Sequence, residues 1–244
     1  MHQAEEKKRP ALSGSEGNTL RGIDLLKDLS ADELEAVEKA CRWKRYDKEE
    51  QIIDRQSDSR DTFFIVSGRV RVVIYSLSGR EVTLDDNETG SFFGELAAID
   101  GYPRSASVMA LTETLVASLP PQNFMDMLAR HPEIAMKVMR RLAWVIRSST
   151  ERIMDLSTLG ANNRVHAELI RLAIADMDTE TNFAVISPIP VHSDIASRVS
   201  TTRETVARVL NDLARQGIVQ RQKTSLMIAD MDRLKAMVED VRGE

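Results

Sequence analysis

Arg203, Glu204 and Arg208 stand near the start of the stretch Thr202 to Gln216, whose apolar members Val206, Val209, Leu210 and Leu213 recur at helical spacing. On one helix this spacing puts the apolar stripe on one side and the three long polar side chains, with Ala207, on the other. Arginine can grip guanine O6 and N7 with two parallel hydrogen bonds, and glutamate can accept from cytosine N4, so the chemistry on offer is the reading of base edges in a DNA major groove. Ser193 to Val199 has the pattern of a short amphipathic helix, Ser200-Thr201 of a turn, and Gly217 of a helix stop. Ile218-Val219 and Leu226-Met227-Ile228, on either side of Gln222 to Ser225, complete a hairpin whose tip carries Lys223 and suits a phosphate. His192 to Gln222 is therefore read as a winged helix-turn-helix. The competing reading of the same charges is a solvated helix face.

Composition sets the frame for this motif. The chain has 244 residues, 42% of them apolar, and a net charge of −5, which predicts two domains and excludes indiscriminate coating of nucleic acid. Between Val191 and Lys223, however, six basic residues (Arg198, Arg203, Arg208, Arg215, Arg221, Lys223) face three acidic ones (Asp194, Glu204, Asp212), a local basic patch. Cys41 is the only cysteine, so no intramolecular disulfide or thiolate-held cluster can form. His2, His131, His166 and His192 show no metal-ligand spacing. No nucleophile–base pair occurs at recognisable spacing, which argues against an enzyme. Apolar runs such as Phe63 to Val66 and Val70 to Tyr75 are too short to span a bilayer, and the polar N-terminus lacks a signal core, so a cytoplasmic protein is expected.

The elements that must hold these residues follow from periodicity. Residues 1–20 are expected to be a disordered tail. Leu25, Leu26, Leu29, Leu34 and Val37 predict a short helical pair, with Ser30 as an N-cap. From Trp43 to Leu119, runs at Gln51 to Asp54, Asp61 to Val66, Arg69 to Tyr75, Glu81 to Asp85, Ser105 to Leu111 and Thr114 to Leu119 predict short strands of an antiparallel barrel or jelly roll. Gln122 to Ala129 predicts a short helix and Glu133 to about Leu159 a long one. In the latter, Ala135, Leu142, Ser149 and Leu156 fall seven apart, as do Met139, Ile146 and Ile153 between them. This is a two-helix coiled-coil seam, and it predicts a homodimer, although a long helix lying on its own domain has the same pattern. Gly160 to Asn163 is the expected hinge and Arg164 to Asp178 a further helix. The expected fold is α+β: a β-roll domain over 21–132, a dimerisation helix and hinge over 133–160, and a winged helix-turn-helix domain over 161–244.

Thr202-Arg203-Glu204-Thr205-Val206-Ala207-Arg208 strongly resembles the recognition helix of the catabolite activator protein family, the cyclic AMP receptor and FNR superfamily of transcription regulators. The resemblance implies that Arg203, Glu204 and Arg208 contact bases of a palindromic site with TGTGA-like half-sites, and that Thr202 and Thr205 touch phosphate. It also implies RNA polymerase as a partner. His192 stands where the family often carries a phosphate-contacting base.

Phe93-Gly94-Glu95-Leu96-Ala97 and Pro103-Arg104-Ser105-Ala106 are similar to the cyclic-nucleotide signature of the same family, which implies an N-terminal β-roll of the cyclic-nucleotide-binding type. The chemistry is consistent with that. Arg104 can hold a cyclic phosphate diester with help from Ser105, Glu95 can accept from a ribose hydroxyl, and Gly94 permits close backbone approach. An internal Glu95–Arg104 ion pair is the alternative. The resemblance places Ser149 and Thr150 on the family's hydroxyl pair that meets the adenine amino group, one hydroxyl from each subunit; a polar residue that merely sets seam register is the alternative. The Gly94 to Arg104 loop is one residue shorter than in the family's founder, and Val145 replaces an arginine one turn before the hydroxyl pair. Cyclic AMP and cyclic GMP both stay open as effectors, as do a regulator with another effector or none and a nucleotide sensor acting on a protein partner.

Overall fold

Ser30 starts the first helix as its position demands. Its hydroxyl accepts from the Glu33 amide while the Glu33 carboxylate takes the Ser30 N–H at 2.9 Å, a reciprocal capping box that opens α1 (Ala31–Ala40). A 3-10 turn, Asp24–Leu26, precedes it and buries Leu25 and Leu26. The computed structural model describes residues 19–77, 79, 81–174 and 182–242. Most of the expected tail, 1–18, thus lies outside the described residues, but its last two residues do not behave as a tail. Leu20 is buried, and the Thr19 hydroxyl and Leu20 amide both donate to Glu38.

The strand region folds as β1 (Arg42–Tyr46), β2 (Gln51–Ile53), β3 (Thr62–Ser67), β4 (Arg69–Tyr75), β5 (Glu81–Glu88) and β6 (Phe92–Phe93). A short helix, α2 (Glu95–Asp100), comes next, then β7 (Ser107–Ala110) and β8 (Thr114–Leu119). They form two four-stranded sheets, ordered β1-β8-β3-β6 and β2-β7-β4-β5, with antiparallel ladders between β1 and β8, β3 and β8, and β4 and β7. Side chains alternate across a strand, and both faces of the first sheet are covered. Phe63, Ile65 and Val116 enter the core shared with Val70 and Val108. Phe64, Leu115, Ala117 and Leu119 face the other way, onto Phe124 and Met127 of α3 (Pro121–Arg130) and Ile134 and Val138 of α4 (Pro132–Thr158). This double coverage explains the nearly continuous apolar run of β3.

The 27 residues of α4 span about 40 Å. The chain divides within this helix into two units, Met1–Tyr75 with Leu84–Leu142 and Ser76–Thr83 with Ala143–Glu244. The helix breaks only at Leu159 and Gly160. Ala161 to Asn163, expected in the hinge, instead open α5 (Ala161–Ile174), where Leu159 is pinned against Ala167; residues 175–178 of the expected helix lie outside the described residues. The second unit continues with β9 (Ala184–Ile186), α6 (His192–Arg198), α7 (Arg203–Arg215), β10 (Val219–Arg221), β11 (Leu226–Ile228) and α8 (Met231–Arg242). Its three-stranded antiparallel sheet runs β10-β11-β9. Val165, Leu169, Ile195, Val206, Leu213 and Leu234 make its core.

One residue of the expected seam is partly buried within its own domain. Leu142, expected to face a second helix, packs against its own domain with Ile134 and Val138, because the first turns of α4 must close the core beside β8.

Candidate ligand-binding and DNA-reading sites

The helix that carries Arg203, Glu204 and Arg208 is set by its caps. The Thr202 hydroxyl accepts from the Thr205 amide at 3.2 Å to start α7, and Gly217, at φ 74°, ends it where an L side chain is strained. Val206, Val209 and Leu213 are buried, which turns Arg203, Glu204 and Arg208 to solvent. Hydrogen bonds at the helix start, from its own amide and from Thr202, hold the Glu204 carboxyl below the usual carboxylate range, so it is a permanent acceptor at neutral pH. Arg203, Glu204, His192 and Arg221 line one open concavity of about 590 Å³. The wing turn is closed by the Gln222 amide on the Ser225 carbonyl at 2.9 Å, which leaves Lys223 exposed at its tip.

Two basic residues have duties other than facing DNA. Arg198, counted in the basic patch, is turned inward onto Glu168 at 3.6 Å, since a buried carboxylate needs a cation. Arg164 was not singled out by its sequence context, yet its guanidinium donates to the carbonyls of Leu159 (2.8 Å), Val199 (2.9 Å) and Ser200 (3.3 Å). It thereby fixes the α6–α7 turn, in which Ser200 has a φ of 52°.

In the first unit Gly94, Glu95, Arg104 and Ser105 come together. Gly94 adopts φ 80°, and a Cβ there would stand 2.8 Å from the Arg104 guanidinium, so glycine is required. Arg104 is buried and donates to the carbonyls of Gly94 (2.7 Å) and Asp61 (2.8 Å) and to the Ser59 hydroxyl (3.2 Å), above the Phe63 ring. Its hydrogen bonds therefore go to carbonyls and a hydroxyl, not to the Glu95 carboxylate as the ion-pair alternative requires. Burial pushes the Glu95 carboxyl up, opposed by the charges of Arg141 and Arg104. Leu96 and Ser105 are exposed. Arg141 of α4 donates to Asp85 (2.5 Å) and Asn87 (2.8 Å); this anchor and the Ser59 and Asp61 acceptors are tertiary contacts with no signature in the local sequence. Ser149 and Thr150 belong to the part of α4 in the second unit; both are exposed, and the Thr150 hydroxyl donates to the Ile146 carbonyl at 3.0 Å.

Residues 43–131 match the cyclic nucleotide-binding domain family, and residues 163–237 match the Crp-like helix-turn-helix domain family. Over 172 residues the chain is 30% identical to the CRP-like cAMP-activated global transcriptional regulator of Mycobacterium tuberculosis, covering 70% of this chain and 77% of that protein. The chain belongs to the CRP family of transcription regulators. It is thus a DNA-binding regulator with a cyclic nucleotide-binding domain, and not an enzyme. The cAMP-activated global transcriptional regulator CRP of Salmonella typhimurium is 26% identical over 189 residues, 77% of this chain and 90% of that one. A CooA mutant from Carboxydothermus hydrogenoformans shares the fold, with a TM-score of 0.76 at 24% identity over 92% of this chain and 97% of its own. Among the described residues, no helix is long and apolar enough to cross a membrane.

The contacts of Arg164 make it the brace of the reading head. Arg164→Ala is expected to lower the unfolding free energy by about 2 kcal/mol, the loss of charge-assisted bonds to carbonyls. Arg215→Ala, which removes only an exposed pair with Asp212, should change it by less than about 0.5 kcal/mol. Urea unfolding followed by circular dichroism checks both; equal midpoints for the two variants contradict the assignment.

Proposed function

We propose that this regulator acts as a homodimer that binds a palindromic DNA site with TGTGA-like half-sites when cyclic AMP occupies its first domain. The observation that carries the ligand assignment is the Gly94–Arg104 cradle, a buried guanidinium with no carboxylate among its hydrogen-bond partners. An anion with several acceptor oxygens compensates such a charge, and a cyclic phosphate diester is one. Glu95 supplies the acceptor for the ribose hydroxyl.

Adenine is favoured over guanine by Thr150. Its hydroxyl proton is committed to the Ile146 carbonyl, so its oxygen is left as an acceptor, suited to the adenine amino group and not to guanine O6. The naming of relatives as cAMP-activated agrees with this.

The dimer reading rests on the apolar residues that α4 leaves uncovered. Met139, Ile146 and Ile153 are 52%, 66% and 63% exposed in the single chain, a stripe that a second copy of the helix would cover. With Leu142 withdrawn into its own core, the stripe runs Met139, Ala143, Ile146, Thr150, Ile153, alternating steps of four and three. Thr150 then lies on the seam itself, where a base bound from either subunit biases the packing of both helices. Ligand shifts the protein toward the state in which the two α7 helices stand about one DNA turn, roughly 34 Å, apart. Arg203, Glu204 and Arg208 read bases; His192, Thr202, Thr205 and Lys223 hold phosphates. RNA polymerase is the partner of the bound dimer, and the cytoplasm its place of work.

Fluorescence anisotropy of a labelled TGTGA palindrome tests this reading. Cyclic AMP should tighten binding about tenfold or more, and cyclic GMP much less. Arg203→Ala and Arg208→Ala should each cost about 1–3 kcal/mol. Affinity that ignores both nucleotides sinks the effector, whereas affinity that ignores both arginine substitutions sinks the DNA-reading role and favours a protein partner.

A second expectation concerns pH. The Glu95 carboxylate must be ionised to accept from the ribose, and burial raises its pKa. Nucleotide affinity should therefore be full near neutrality and fall on acidification, beginning above the ordinary carboxylate range. Glu95→Gln should bind more weakly and lose that pH dependence; calorimetric titration from pH 7.5 downward that gives parallel profiles for both proteins contradicts the role of Glu95.

A further inference from the structure

Two carboxylates of the second unit are almost wholly buried: Asp155, near the end of α4, is 2% exposed and Glu168, on α5, is 1% exposed. Neither belongs to the helix-turn-helix reading surface or to the nucleotide cradle. A buried charge is costly unless it is paired with good geometry, and both are paired in series. Arg171 of α5 donates to Asp155 at 2.6 Å and to Glu168 at 3.0 Å. The other oxygen of Glu168 meets Arg198 at 3.6 Å, at the end of α6.

The series crosses a weak point in the backbone. Between α4 and α5 the chain has only Leu159 and Gly160 outside the helices, and nothing lies within 4 Å of where a Gly160 side chain would be. The backbone there leaves the angle of the two helices soft, so side chains must set it. Asp155 and Arg171 reach across that break. On the far side, Glu168 and Arg198 fix α6 to α5, while Arg164, also on α5, holds the carbonyls at the end of α6. Asp155 lies five residues, about 8 Å along the axis, beyond Thr150.

We propose that Asp155, Arg171, Glu168 and Arg198 are positioning residues that transmit the state of α4 to the DNA-reading helices. This rests on the proposed function, in which ligand acts at Thr150. In a medium of low dielectric these paired charges resist separation, so a shift of α4 is passed to α6 instead of being absorbed at Gly160. Both helices of the reading head then follow α4.

The test uses full-length protein, cyclic AMP and the labelled palindrome. Asp155→Asn keeps the shape and leaves Arg171 paired with Glu168; Arg198→Gln removes the far link. Each should cut the cyclic-AMP-driven gain in DNA affinity by about tenfold, with nucleotide affinity changed less than about threefold. Because the links act in series, the double variant should lose little more than either single one. In parallel, amide hydrogen exchange of α6 without nucleotide should quicken in Asp155→Asn, although the substitution lies on another helix.

An unaltered gain in both variants, or losses that simply add, overturns the proposal. If the unsubstituted protein itself shows no response to cyclic AMP, the functional reading has failed, and the exchange measurement decides the link by itself: quicker exchange in α6 supports it, and unchanged exchange overturns it.

Discussion

Everything in this molecule depends on one helix that has to satisfy different surroundings along its length. Ile134 and Val138 near the start of α4 are buried under the β-roll, and Leu142 joins them. Arg141 and Lys137 tie the same turns to Asp85 and Asp28. On another face of the same helix, Met139, Ile146 and Ile153 are uncovered. Near its end Asp155 is buried again, now by charge. In the proposed mechanism, helix packing changed at one place is felt at another along α4, because close-packed interiors transmit displacement and do not absorb it.

The nucleotide cradle follows the same logic at smaller scale. Gly94 must be glycine because its left-handed backbone and the Arg104 guanidinium occupy the space of a side chain. Arg104 keeps its place through acceptors that carry no full charge, and Glu95 is kept near it without neutralising it by direct contact. Under the proposed function this arrangement suits an anion with a hydroxyl beside it.

Much of this was legible in the sequence, for physical reasons. β4 and β8 have the expected bounds because their apolar content ends in turns, and α6 and α7 fall within one residue of theirs because Ser200, Thr201 and Gly217 punctuate them. β1 was missed because Trp43 and Tyr46 alternate with Arg42, Lys44 and Arg45, which leaves no apolar run. α8 was missed although Met231, Leu234 and Val238 carry a helical period. The long helix α4 was legible, but not that Leu142 is partly buried against the home core, since periodicity does not say which neighbour a face meets. Arg104 and Glu95 were visible through the resemblance of their local segments to the family's signature; Ser59, Asp61, Arg141, Arg164 and the Asp155–Arg171 contact were not, because long-range contacts leave no local pattern.

The claim at the centre is that cyclic AMP sets the separation of two reading helices across a dimer of α4. Spin labels attached through Glu239→Cys, an exposed position on α8 in the same unit as α7 and off the base-reading helix, follow that separation by electron–electron double resonance. The native Cys41 should take little label, since its thiol is partly buried and burial pushes its pKa up to about 12. The predicted result is a dipolar coupling between subunits whose distance distribution shifts and narrows when cyclic AMP is added. Absence of any coupling between labels, or one distribution that is identical with and without saturating nucleotide, contradicts it.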